Sequence, residues 1–106
     1  MYNLEDLLNQ ADESCDKLFK NEADRDDAEI NYESIFAQVL VEAKNEMGST
    51  LADKYTRGDI RVTNAKAIYL EKCRLVEAGK RKLIWLQEKI NAEKYIGRST
   101  DKLTGG

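Results

Sequence analysis

At 106 residues, with 42% hydrophobic and 35% charged side chains, six Gly and no Pro, the chain has the length of one domain and the composition of long helices. Its net charge of −3 conceals two halves, because residues 1–56 hold 14 Asp and Glu against 5 Lys and Arg, whereas residues 57–106 hold 6 against 12. The absence of His removes the commonest general base and metal ligand, and no apolar run approaches the ~20 residues of a membrane span.

The first predicted helix covers about residues 4–47, and Asn3 is a favourable N-cap for it. Two apolar rows at helical spacing are separated by a polar waist at residues 20–29. The rows are Leu4, Leu8, Ala11, Cys15 and Leu18, and then Tyr32, Phe36, Val39 and Ala43, with Ile35 and Leu40 beside the second. Because the waist holds neither Gly nor Pro, we expect one continuous helix, with a break near residues 21–27 as the alternative.

A short second helix is predicted after Gly48, which ends the first. Ser49 and Thr50 are candidate N-caps, and Asp53 stands three residues after Thr50, the spacing of a capping box. Gly58 is placed to close this helix about two turns later.

A third helix is predicted from about residue 60 to 96, with Asp59 as its N-cap and Gly97 as its end. Its apolar row consists of Val62, Ala65, Tyr69, Val76, Gly79, Leu83, Leu86 and Ile90. We therefore expect one helical domain over residues 1–97, followed by a flexible polar tail over residues 98–106.

These elements predict an all-α fold, in which two long helices and a short connecting helix form an antiparallel hairpin. Leu83, Ile84, Trp85 and Leu86 are consecutive, so they point nearly all round the third helix and one partner helix cannot cover them. A second hairpin packing on this patch would make a helical bundle, so we expect a homo-oligomer, with a dimer favoured. The alternative is that the short helix folds over the patch.

The carboxylates do not complete a catalytic or metal-binding pattern. Glu29 with Glu33, and Glu42 with Glu46, have half of the spacing of a helical two-metal site, but the third helix lacks a matching pair. The acidic run at residues 24–27 lacks the Gly and the terminal Glu of a calcium loop. We therefore predict no catalytic residue, no metal, no cofactor and no enzyme activity.

Cys15 and Cys73 lie beside apolar helix positions, and neither has a second Cys nearby. We interpret both as packing residues rather than as zinc ligands or a disulfide. The first residues lack the basic flank and apolar stretch of a signal peptide. The expected location is the cytoplasm, without membrane contact.

Basic side chains project from much of the third helix. The candidate nucleic-acid contacts are Arg74, Lys80, Arg81, Lys82 and Lys89. Such a surface could follow phosphate groups, with an affinity that falls steeply as salt rises. The alternative is pairing with acidic residues of the first helix, at tenths of a kcal/mol for each exposed pair. Candidates for that pairing are Asp12, Asp16, Glu33 and Glu46.

The turn region contains Gly48-Ser49-Thr50 and Ala52-Asp53-Lys54, preceded by Tyr32-Glu33 and followed by Asp59, Val62, Ala65, Tyr69 and Arg98-Ser99. Over roughly residues 30–100 this pattern resembles small helical proteins encoded by bacteriophages and prophages, in which a G-S-x-x-x-x-K/R-x-x-x-A turn precedes a long helix ending near an Arg-Ser pair. Thr56 and Arg57 stand where that pattern has Ala, and Trp85 comes earlier than its usual aromatic residue. The resemblance implies a non-enzymatic accessory to phage recombination or replication in the host cytoplasm, and it assigns no residue a role.

Two functions of different classes follow, and we prefer an oligomeric helical adaptor or modulator that binds a protein partner through the patch at residues 83–86. The alternative is a direct DNA-binding accessory, similar to a recombination mediator, that uses the basic third helix. A weaker alternative is an acidic DNA mimic that inhibits a host protein. Its acidic residues would be Asp24, Asp26, Asp27 and Glu29.

Overall fold

The computed structural model describes the backbone of residues 3–104 and the side chains of residues 3–96, and the regular structure in this part of the chain is helical. The helices are α1 (Leu4–Glu46), α2 (Ser49–Gly58) and α3 (Ile60–Thr104). The predicted all-α hairpin, with two long helices and a short one between them, is confirmed.

The hairpin divides into two compact units. Unit 1 comprises the described parts of Met1–Lys20 and Glu77–Gly106, and unit 2 is Asn21–Val76. Each unit contains a segment of α1 packed on a segment of α3, and unit 2 also contains α2.

The start of α1 matches the prediction, because the Glu5 backbone N–H donates to Oδ1 of Asn3 at 2.9 Å. This bond satisfies one of the N–H groups that a helix start leaves without an intrahelical partner. α1 then continues through the polar waist without interruption, so the alternative of a break near residues 21–27 is wrong.

The predicted capping box of α2 is wrong. Gly48 is the N-cap, with an extended backbone (φ −66°, ψ 157°) and no side-chain cap, and the helix already begins at Ser49. Thr50 therefore lies inside the first turn. The Asp53 carboxylate bonds to Nε of Arg57 one turn later, at 3.0 Å, instead of reaching back to the helix start.

The start of α3 is confirmed and its end differs from the prediction. Oδ1 of Asp59 accepts the Arg61 backbone N–H at 2.8 Å, as an N-cap does. At the other end the helix continues past Gly97 to Thr104. A single interior Gly costs only about 1 kcal/mol relative to Ala, so it need not end a long helix. The flexibility of residues 98–106 stays a prediction.

The core of unit 1 forms where Leu7 of α1 meets Leu86 and Ile90 of α3, with Leu4 and Ala11 packed against them. The predicted α1 row is wrong at one position, because Leu8 is 44% exposed while its neighbour Leu7 is fully buried. A helix turns about 100° per residue, so the row facing α3 includes Leu7 and leaves Leu8 on its edge.

The core of unit 2 is built from small and β-branched residues of all three helices. Its buried members are Val39 and Ala43 of α1, Ala52 and Thr56 of α2, and Val62, Ala65 and Val76 of α3. The Thr56 hydroxyl donates to the Ala52 carbonyl at 2.7 Å, which satisfies the one hydroxyl in this group. α2 therefore contributes a buried face to this core, as well as connecting the long helices.

Candidate interaction surfaces

The structure divides the apolar patch at residues 83–86 into a buried part and an exposed part. Leu86 is fully buried in the core of unit 1, and Leu83 is half-buried. Ile84 is 61% exposed and Trp85 is 40% exposed, with Nζ of Lys89 5.6 Å from the indole centroid. The surface that remains for a partner is therefore Ile84 with Trp85.

The basic residues proposed as nucleic-acid contacts do not all project from one face. They are Arg74, Lys80, Arg81, Lys82 and Lys89. Lys80, Arg81 and Lys82 are consecutive on a regular helix, so their side chains spread over about 200°. Arg74 belongs to unit 2 and lies 3.4 Å from the Glu71 carboxylate. This arrangement offers separate cations rather than a continuous track for phosphates.

A groove runs beside the packed helices of unit 1, and we call it the α1–α3 groove. Its lining residues are Ala11 and Cys15 of α1 with Leu83, Gln87, Ile90, Asn91 and Lys94 of α3. The α1 side is small and apolar, while the α3 side alternates apolar residues with polar ones. The sequence prediction placed Ala11 and Cys15 in the row that contacts α3, so it did not predict a groove beside that contact.

An aromatic cluster holds α1, α2 and α3 together in unit 2. The Tyr32 ring stacks on Tyr69 with centroids 6.2 Å apart, and it packs in an edge-to-face arrangement with Phe36, with centroids 6.3 Å apart. The Arg57 guanidinium of α2 lies 5.6 Å from the Phe36 centroid, in the range of a cation–π contact. Glu33 borders the same recess. The exposed face of Phe36 is thus covered by a cation of the chain itself.

The polar waist of α1 is partly buried against α3. The Arg25 guanidinium bonds to Asp26 at 3.2 Å, and this hydrogen bond raises the pKa of Arg25. The pKa of the Tyr69 phenol is also raised, first by a hydrogen bond with Cys73 and then by electrostatic interaction with Cys73 and Glu29. Half-buried Arg25 and Glu29 of the waist therefore lie near Tyr69 of α3.

The residues proposed for an acidic DNA mimic do not project together from α1. Asp24 and Glu29 are half-buried, whereas Asp26 and Asp27 are exposed. Asp26 is also bonded to Arg25, which neutralises part of the local charge. An isolated acidic face of the kind that imitates a phosphate track is absent from this segment.

An ion-pair network ties the start of α3 to α1 in unit 2. Arg61 bonds to Glu42 of α1 at 2.9 Å and to Asp59 at 3.1 Å. The hydrogen bond from the Arg61 side chain, and then that from its backbone N–H, hold the pKa of Asp59 below its ordinary value. The same two carboxylates raise the pKa of Arg61. The network ties the hairpin turn to α1.

The described residues show no arrangement suited to metal binding or membrane crossing. In this part of the chain, no group of three or more Cys, Asp or Glu is placed to hold a metal ion. The helices between residues 3 and 104 do not include one with the length and apolar composition that a membrane span requires. Cys15 and Cys73 are free and half-buried.

Similarity to known proteins does not assign a function. Known protein families, curated protein sequences and solved structures give no match to this chain. The geometry of its own surfaces is therefore what supports a function.

Proposed function

We propose that this chain is a non-enzymatic, oligomeric helical adaptor that binds a protein partner through apolar side chains on the outside of its helices. The observation that carries the proposal is the distribution of burial. Among the described side chains, fourteen large hydrophobic ones are exposed, against nine hydrophobic residues in the core. Contiguous exposed apolar surface marks sites that bind another chain, and Ile84 beside Trp85 on α3 provides such a surface.

Ile84 and Trp85 are the side chains that we assign to the partner. They are adjacent on α3, both are exposed, and Trp is among the residues that most often dominate binding energy in protein interfaces. Lys89 beside the indole places a positive charge at the edge of this surface. A partner with an apolar pocket bordered by carboxylates would fit this surface best.

The resemblance of residues 30–100 to small phage and prophage proteins supports a more specific form of the proposal. In that form, the chain acts in the host cytoplasm as an accessory to DNA recombination or replication, through contact with a protein of that machinery. The spread of Lys80, Arg81 and Lys82 around α3 favours contact with a protein over direct contact with DNA.

The test compares affinity capture by the wild type with capture by an Ile84→Ser/Trp85→Ala variant. Tyr95→Ser, which removes another exposed aromatic residue of unit 1, is the matched control. We expect a partner that the wild type and the control bind and the double variant does not. The affinities of the three proteins for that partner, once it is purified, should follow the same order. Equal capture by all three proteins would contradict the assignment of this surface.

A parallel measurement with short single-stranded DNA separates the two classes of function. Size exclusion is run at about 50 mM and about 500 mM salt, because charge contacts to phosphates weaken as screening rises. We expect no co-elution at either salt concentration. DNA that co-elutes at low salt only, and is lost on Lys80→Glu/Arg81→Glu/Lys82→Glu substitution, would instead favour the DNA-binding accessory.

A further inference from the structure

α1 presents two adjacent rows of residues in unit 1, and α3 covers one of them. The inner row includes Leu7 and Ser14, which are buried. The outer row is Leu8 and Cys15, one residue further round the helix than Leu7 and Ser14, together with Ala11, which lies between the rows and also packs against the core; all three are exposed or half-buried. Its spacing of three and four residues is that of a coiled-coil seam. A helix with two such rows is built to pack between two neighbours.

The outer row forms one wall of the α1–α3 groove, and α3 supplies the other wall. Ala11 and Cys15 face the groove from α1, while Leu83 and Ile90 face it from α3. Leu8 lies three residues before Ala11, so it extends the same row towards the start of α1. The groove therefore has the form of a seat for a further helix beside the hairpin.

The two rims of the groove carry opposite charges. On the α1 rim, Glu5 precedes Leu8 by three residues and Asp12 follows it by four, so both carboxylates are same-face neighbours of Leu8, and both are exposed. On the α3 rim, Lys80 and Lys94 stand one heptad before and after the lining residue Gln87, and both are exposed. The Lys80 ammonium has a 3.6 Å contact with Glu77, but both groups are solvated, so this contact is weak.

We propose that the occupant of the α1–α3 groove is a second copy of this chain, with α1 of each copy against α3 of the other. A two-fold contact brings the same face of both copies together, so that face must complement itself. This face complements itself. In each of the two symmetric contacts, the acidic α1 rim of one copy lies against the basic α3 rim of the other, and the apolar rows of the two copies cover each other. The result is a four-helix bundle around unit 1, and it rests on the self-association in the proposed function.

The opposite arrangement, α1 against α1, fits the charges poorly. It would place Glu5 and Asp12 of both copies on one seam and the lysines of both on the other. Like charges held opposite each other across an interface are unfavourable, so the rims select the α1–α3 pairing. This difference makes the arrangement testable by charge reversal.

The experiment uses two reversal variants of the full chain, followed by sedimentation at fixed total concentration. Glu5→Lys/Asp12→Lys makes both rims basic, and Lys80→Glu/Lys94→Glu makes both acidic. We expect each variant alone to dimerise at least about tenfold more weakly than the wild type, through repulsion at both seams. An equimolar mixture restores both pairings, so we expect a heterodimer about as tight as the wild-type dimer. That recovery also shows that each variant is folded.

Matched substitutions test the apolar row itself. Leu8→Ser is expected to weaken dimerisation, whereas Leu51→Ser, which removes an exposed leucine of unit 2, leaves it unchanged. Reversal variants that self-associate as tightly as the wild type would overturn the α1–α3 pairing while leaving self-association in place. A wild type that stays monomeric at every concentration would overturn both this inference and the oligomeric part of the proposed function.

Discussion

In unit 1, α3 passes close to Leu18 of α1 at Gly79. A methyl group added there would lie 3.2 Å from Cδ1 of Leu18 and 3.9 Å from its Cβ. The first distance is tighter than ordinary van der Waals contact, so Leu18 must shift by a few tenths of an ångström. Its Cδ1 is the end of a flexible, half-buried side chain, so we expect it to move.

Two terms set the magnitude for Gly79→Ala. Replacing Gly by Ala inside a helix is worth about 1 kcal/mol, because Gly loses more backbone freedom on folding. Moving one leucine methyl group costs less free energy than overpacking a rigid core, which destabilises a protein by about 1–3 kcal/mol. We therefore predict that Gly79→Ala stabilises the protein by about 0.5–1 kcal/mol. Gly79→Leu is predicted to destabilise the protein, since the larger side chain on α3 would clash with Leu18 of α1.

The assay is urea unfolding followed by far-UV circular dichroism, at one protein concentration because self-association changes apparent stability. Gly58→Ala is the control, since a methyl group there meets nothing within 4 Å. Gly79→Ala in a Leu18→Ala background should gain more than in the wild type, because the close contact is gone. Destabilisation of about 1 kcal/mol or more by Gly79→Ala alone would refute the reasoning that Leu18 can yield.

Three further predictions test the cores and the hairpin turn. Leu86→Ala should lower the free energy of unfolding, measured in urea, by about 2–5 kcal/mol, because it leaves a cavity in the core of unit 1. At a concentration low enough for the chain to be monomeric, Leu8→Ala should lower it by less than about 1 kcal/mol, because Leu8 is exposed there. Thr56→Ala should cost about 1–2 kcal/mol through the lost methyl packing, and Thr56→Val should change stability by less than about 1 kcal/mol, since the hydroxyl bonds only to a helical carbonyl. The lowered pKa of Asp59 means that its contact with Arg61 stabilises the fold above the ordinary carboxyl pKa and that this contribution is lost as pH falls through the lower, folded-state pKa. Asp59→Asn should therefore be less stable than the wild type at neutral pH, and the difference should shrink in acid; a pH-independent difference would contradict this.

The sequence predicted which segments are helical more reliably than it predicted where each helix begins and ends. The absence of Gly and Pro in the waist correctly predicted an unbroken α1, and Asp59 correctly predicted the start of α3. Gly97 misled the prediction, because backbone hydrogen bonding on both sides offsets the cost of one interior glycine. The capping box of α2 failed because the helix begins at Ser49 with Gly48 as its N-cap, and the Asp53 carboxylate pairs with Arg57 one turn later.

The interaction surface was predicted in part. The run at residues 83–86 indicated more apolar surface than one helix can cover, but not which residues face inward. That assignment depends on the α1 contact row, where Leu7 and Leu8 are adjacent and equally apolar. The predicted row already held Leu8, Ala11 and Cys15, and a search for two parallel rows on α1 would have added the buried row of Leu7 and Ser14. The contact of Arg57 with Phe36 had no comparable signal, because the two residues are distant in sequence.

Light scattering coupled to size exclusion, over a wide range of protein concentrations, tests the central claim most directly. A self-associating adaptor is expected to show the mass of two chains at high concentration, with dissociation promoted by Leu8→Ser. The mass of a single chain at every concentration, for the wild type and for Leu8→Ser alike, would contradict the claim that the outer face of unit 1 is an interface.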